Sequence, residues 1–118
     1  MYVESLNINN YRNYDELFIT FDKNTNILYG DNPQEKTNIL ESIYMAATTK
    51  SHRGSKDREI IKIGEEESHI RLCIKKSDIN HRIDMHLRKN KNKGVAIDGL
   101  PIRRTTELFG LLNVIFFS

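Results

Sequence analysis

The 118-residue sequence is short of several things, and each shortage removes a class of protein. It holds one cysteine, Cys73, so no internal disulfide can form and a reducing compartment suits it. Its N-terminus lacks a basic stretch followed by an apolar one, so nothing marks a signal peptide. No apolar run approaches the ~18 residues that a membrane span needs. Together these absences describe a soluble, cytoplasmic protein with no membrane partner. Neither an internal repeat nor a long linker interrupts the chain, and its length suits one domain with a modest core. The four histidines and Cys73 lack the close spacing of zinc ligands, so no metal centre is expected from them.

Charge is present in both signs but unevenly spread. Net charge is +2. Residues 1–49 carry three Lys/Arg against seven Asp/Glu, whereas residues 50–93 carry thirteen against seven together with every histidine. Residues 94–118 balance at two each. A basic middle after an acidic start fits a polyanion-binding face or, equally, a solvated rim of strands.

Hydrophobic periodicity divides the chain into elements. Tyr2 to Asn9 and Asp15 to Phe21 alternate as half-buried strands, with Leu6 and Ile8, then Leu17, Ile19 and Phe21, on one face. Asp22-Lys23-Asn24 is a polar turn, and Asn26 to Tyr29 is a short buried strand ending at Gly30. From about Lys36 to about Thr48 the period becomes helical, with Ile39, Leu40, Ile43, Tyr44 and Ala47 as the apolar stripe. Residues 50–58 are polar and read as a loop. Strand patterns return in 69–76 and 79–89, joined by a Ser77-Asp78 hairpin turn. Lys89 to Gly94 is a second turn and Val95 to Asp98 a short strand. Gly99-Leu100-Pro101 turns once more, Thr105 to Gly110 reads as a short helix, and Leu112 to Phe117 as a last strand. An apolar strand stopping at Ser118 has the look of a truncation.

The stretch Tyr29 to Asn38, YGDNPQEKTN, carries the chemistry. A phosphate-binding P-loop reads G-x-x-x-x-G-K-[ST], and here Gly30, Lys36 and Thr37 hold the outer positions after a strand and before a helix. Such a loop works through a nest of backbone N–H groups, the positive end of a helix, a lysine and a hydroxyl on Mg²⁺. The glycine expected before the lysine is Glu35, and Pro33 removes a donor inside the loop. A carboxylate ~4 Å from a phosphate costs about 4 kcal/mol at an effective dielectric near 20. Weakened nucleotide binding is therefore expected. The alternative is an ordinary strand-turn-helix connection capped by Asp31 or Asn32.

The opening YVESLNINNYRNYDELFITF, the run NILYGDNPQEKTNILESIYMAATTKSHR, and the later RLCIKK and FFS segments resemble the RecF family of bacterial recombination-repair ATPases. The likeness runs from Met1 to Ser118, and KTNILESIY followed by SHR is far more specific than a P-loop pattern. It implies an α/β fold of P-loop NTPase type, the N-terminal lobe of a head like those of ABC, SMC and Rad50 proteins. Residues 1–58 would hold the loop, its strands and its helix in a mixed sheet, and residues 59–118 an antiparallel lobe. It further implies ATP with Mg²⁺ as cofactor, held by Gly30, Asp31, Asn32, Pro33, Gln34, Glu35, Lys36, Thr37 and Asn38, with Lys36 on the phosphates and Thr37 on the metal. Arg12 and Asn13, after the first strand, would reach the nucleotide. Arg12 could instead pair with Asp15 or Glu16.

The implied partners are a second copy of the head, closing around ATP, DNA at single-strand/double-strand junctions, and RecO and RecR, which help to load RecA on gapped DNA. The family's Walker B and signature motifs would follow Ser118, so no significant hydrolysis is expected from these residues alone. Arg53, Lys56, Arg58, Lys89, Lys91 and Lys93, with Arg82 and Arg88, are candidate contacts to DNA phosphate. A solvated hairpin tip is the other reading of Lys89, Lys91 and Lys93. A second functional class also stands: a DNA- or protein-binding module without nucleotide activity.

Overall fold

The computed structural model describes residues 1–22 and 33–111. The strand expected at 26–29, most of the turn before it, residues Gly30, Asp31 and Asn32, and the strand expected at 112–117 lie outside the described residues.

Among the described residues, six strands form one antiparallel sheet. They are β1 (Tyr2–Tyr11), β2 (Tyr14–Thr20), β3 (Glu67–Lys76), β4 (Ile79–Arg88), β5 (Gly94–Ile97) and β6 (Leu100–Pro101), in the spatial order β2-β1-β3-β4-β5-β6. The β1–β3 pairing joins the first strands to the later antiparallel ones, with Leu6 opposite Leu72 and Ile8 opposite Ile70. Among the described residues, three helices accompany the sheet: α1 (Pro33–Thr48), α2 (Asp57–Ile60) and α3 (Thr106–Leu111).

Strand alternation decides which face is covered. Leu6, Ile8, Ile70, Leu72, Ile74, Ile83, Met85 and Leu87 are all buried, and with Ile39, Ile43, Ala46 and Ala47 of α1 they form the core. Ile60 of α2 and Leu108 of α3 complete it. Truncating a residue such as Leu72 to alanine costs about 2–5 kcal/mol in sites of this kind. The opposite face carries Asn7, Asn9, His69, Arg71 and Asp84, as expected of an antiparallel sheet with one solvated side.

Turn chemistry fixes the registers. Ser77 and Asp78 both have positive φ, 51° and 63°, which matches the twist of a two-residue hairpin. Asp98 and Gly99 repeat this geometry, at 52° and 84°. The turn expected at 99–101 therefore sits one residue earlier, and Leu100–Pro101 is the short β6. Other boundaries also move. The first strand continues to Tyr11, because Tyr11 pairs with Tyr14 on one side and bridges Ile61 on the other. The loop expected over 50–58 gives way to α2, whose start is held by a Lys56 N–H donating to Glu59 Oε1 at 2.9 Å. The last helix runs through Gly110 rather than stopping there.

Helix α1 starts three residues before the periodicity suggests, with Pro33 in its first turn, where a missing N–H costs nothing. Its stripe also differs from expectation: Leu40 is exposed and Tyr44 half-buried, whereas Asn38, Glu41 and Ser42 are buried. The helix ends at Thr49, which has φ 69° and donates its N–H to the Met45 carbonyl at 2.7 Å. That left-handed position usually falls to glycine.

Candidate nucleotide-binding site

The buried polar side of α1 explains itself through Glu41. Asn38, Glu41 and Ser42 lie three or four residues apart and so share a helix face. Glu41 is fully buried, a position that an ionised carboxylate tolerates only when it is paired. Tyr11 Oη donates to its Oε1 at 2.8 Å, and Arg12 grips both oxygens, Nε at 3.0 Å and Nη2 at 2.7 Å. Ser51 Oγ adds a bond of 2.6 Å, and Arg53 Nε lies 3.5 Å from Oε2. Burial alone would raise the Glu41 carboxyl. The bonds from Arg12, Ser51 and Tyr11 outweigh it and hold the group below its ordinary range. Burial first, then the charge of Glu41, pushes the Tyr11 hydroxyl well up.

The two arginines reach this carboxylate from different directions. Arg12 is the first residue of the β1–β2 turn and has φ 56°, a left-handed conformation at a position that favours glycine. Its backbone N–H donates to the Ile60 carbonyl at 2.7 Å, and Nη2 also bonds Ser55 Oγ at 2.9 Å. The turn is thereby pinned to α2 and to the segment before it. Arg53 comes from the loop after α1 and donates from Nη2 to Asn38 Oδ1 at 2.7 Å. Asn38 also bonds the Tyr14 hydroxyl. One continuous network thus runs from Arg12 through Glu41 and Arg53 to Asn38, the residue after Thr37.

The expected site residues that fall among the described ones can each be placed. Lys36 and Thr37 are half-buried in the first turns of α1, and Glu35 is exposed beside them. Pro33 and Gln34 belong to the helix rather than to an open loop. Asn38 is buried, and Asn13 is exposed at the hairpin tip. Arg12 pairs with Glu41, not with Asp15 or Glu16; Asp15 is bonded by Lys62 instead.

The candidate DNA contacts separate. Arg53 is committed to Asn38 and Glu41, and Lys93 donates to Asp57 at 3.0 Å and to the Thr49 carbonyl. Arg82 is held by Asp84 at 2.8 Å, and Arg88 Nε is buried without a partner among the described residues. Lys56, Arg58, Lys89 and Lys91 are exposed. Glu41, Tyr11, Ser51 and Ser55 are the residues that sequence reasoning missed. A glutamate inside an apolar helical stripe was the available signal, since a charge there must find partners.

Comparison with known proteins adds to this picture. A family model described as an AAA domain matches residues 5–110. The chain is 64% identical over its whole length to the DNA replication and repair protein RecF of Lachnoclostridium phytofermentans, of which it covers 33%. It superposes on a solved structure of the recombination mediator protein RecF with ATP at a TM-score of 0.87, with 30% identity, over 99% of this chain and 32% of that one. An SMC ATPase studied for ATP-driven dimerisation and DNA-stimulated activation shares the fold, at a TM-score of 0.79 and 18% identity over 93% of this chain and 76% of that one. The chain spans about a third of the length of the curated RecF relative. Among the described residues, no helix is long and apolar enough to cross a membrane.

Proposed function

The chain belongs to the AAA domain family and is RecF-like along its whole length, and from that premise we propose that it is the ATP-binding part of a DNA replication and repair ATPase. The observation that carries this is the arrangement around α1. Lys36 and Thr37 stand in its first turns, and Arg12 and Arg53 are fixed on the same helix by Glu41 and Asn38. A cluster of cations around a helix start preceded by Gly30 is suited to a polyphosphate. The RecF structure that the chain superposes on holds ATP.

In this reading Lys36 neutralises the phosphates and Thr37 Oγ1 contributes a ligand to Mg²⁺, a hard ion that takes oxygen donors. The half-buried hydroxyl of Thr37, one residue after the lysine, fits that task. Arg12, held at a strained turn, and Arg53, bonded to Asn38, supply further positive charge. Binding is weaker than for an intact loop, because Pro33 carries no N–H to donate and Glu35 stands where such a loop has its glycine. Glu35 is exposed, so solvent screens much of its repulsion. The longer protein would close as an ATP-dependent homodimer on DNA at single-strand/double-strand junctions and work with RecO and RecR to load RecA on gaps.

Calorimetry with Mg-ATP tests the nucleotide site. Binding is expected for the chain itself, loss of at least tenfold in affinity for Lys36→Ala, and tighter binding when Pro33 and Glu35 both become glycine; 1.4 kcal/mol corresponds to tenfold. No heat from any of the three would instead favour a DNA- or protein-binding module without nucleotide chemistry.

A further inference from the structure

The basic residues divide by whether a carboxylate already holds them. Arg12 and Arg53 converge on Glu41, Arg71 and Arg82 share Asp84, and Lys62 is bound by Asp15. Lys89 and Lys91 border a depression that also contains Glu66 and Glu67. Arg103 and Arg104 are different. Both are exposed, and among the described residues neither guanidinium forms an ion pair, although the Glu107 carboxylate bonded to their backbone amides is near enough to feel both charges. With Thr49, Lys93 and Thr105 they line a cleft of about 200 Å³ that has no carboxylate in its wall.

The cleft is built on fixed backbone. Ile102 donates its N–H to the Val95 carbonyl at 3.0 Å. The amides of Arg103 and Arg104 both bond Glu107 Oε2, at 2.9 and 3.2 Å. Leu108, four residues on from Arg104, is fully buried in the core. On the other wall, Lys93 draws the strained Thr49 carbonyl and Asp57 together. Asp57 is flanked by exposed Lys56 and Arg58, and neighbouring residues lie only about 3.8 Å apart along the chain. Lys93 therefore acts as a brace, and the charges left for an outside partner belong to Arg103, Arg104, Lys56 and Arg58.

We propose that this cleft and its rim are the surface that takes the phosphate backbone of DNA, with Arg103 and Arg104 as principal contacts. Hydroxyls and guanidiniums on a rigid wall suit phosphodiester oxygens, and no element reads a base, so contact is independent of sequence. The inference rests on the DNA-binding reading above but assigns its principal contacts to Arg103 and Arg104, which lie outside the charge run over 50–93.

The test is the salt dependence of binding between this chain and a gapped DNA duplex. Each lost phosphate contact lowers the slope of log K against log salt by about 0.9. Replacing Arg103 and Arg104 together by alanine is expected to lower the slope by about 1.8 and to weaken binding roughly tenfold or more near physiological salt. Replacing Arg71 and Arg82 is expected to leave both unchanged. The substitutions keep the backbone bonds to Glu107, and circular dichroism checks the fold. An unchanged slope for the Arg103/Arg104 variant, with a lowered one for Lys89→Ala/Lys91→Ala, overturns the assignment and leaves the DNA reading standing. Absence of salt-dependent binding by the unaltered chain overturns both.

Discussion

Glu41 and Asp84 each hold two arginines, and the two clusters lie on opposite sides of the same sheet. Arg12 and Arg53 meet on a carboxylate sealed from water, with a tyrosine and a serine filling its remaining acceptor positions. Arg71 and Arg82 meet on Asp84 on the open face, where the carboxylate is 30% exposed and the arginines 54% and 45%. The shortest contact is 2.7 Å in both, while the second arginine lies 3.5 Å from Glu41 and 2.8 Å from Asp84. Solvent makes the difference. A buried charge with one partner removed is stranded, whereas an exposed one is rehydrated. One cluster therefore fixes the β1–β2 turn, α1 and the loop after it in a single arrangement, and the other decorates a surface.

Substitution should magnify that contrast. Arg12→Ala, which leaves the sealed Glu41 carboxylate without its two-pronged partner, is expected to cost about 3–5 kcal/mol in denaturant unfolding. A loss below ~1 kcal/mol would mean that the buried cluster is no stronger than a surface pair. Asp84→Asn is expected to change stability by less than ~1 kcal/mol, and the change should fade in high salt.

Acid should separate the two faces more gently. On the open face His69 stacks on His86, with ring centroids 4.2 Å apart. Burial first, then the neighbouring imidazole, lowers the His69 pKa from 6.5. Below 6.5 the unfolded chain takes up the proton more readily, so this contribution is full above that pH and lost as pH falls. Glu41 is also lowered, from 4.5, so its contribution persists until pH falls below 4.5 and through the folded value. Thermal melts followed down in pH should show a small decline below 6.5 that His69→Asn removes. A larger decline below 4.5 should shrink in Glu41→Ala, with Asp98 and Glu107, also lowered, carrying what remains. A His69 variant that leaves the first decline intact would assign it elsewhere.

Strand alternation made most of the sheet legible, because Leu72, Ile74, Ile83, Met85 and Leu87 obey a period of two that survives in the fold. The Ser77-Asp78 turn was legible for the same local reason. What local patterns could not carry was the site. Arg12 and Glu41 are 29 residues apart in sequence and Arg12 and Ser55 are 43 apart. No window of 11–18 residues contains both partners. The apolar stripe of α1 was misjudged at Leu40 because polar residues, satisfied by distant groups, took the inward positions. Arg53 and Lys93 looked like free cations for the same reason: their carboxylates come from other elements.

Helix α1 has a mechanical consequence. Its sixteen residues make a rod about 24 Å long. Lys36 and Thr37 stand at one end, and the other ends at Thr49, whose carbonyl Lys93 grips. Glu41 anchors the helix near its middle, so a rotation of roughly 5° about it moves the Thr49 end, ~12 Å away, by about 1 Å, shifting one wall of the cleft that Arg103 and Arg104 also line. The lever is already in place: its fulcrum is the Glu41 cluster near mid-helix, and its load is the brace at Lys93.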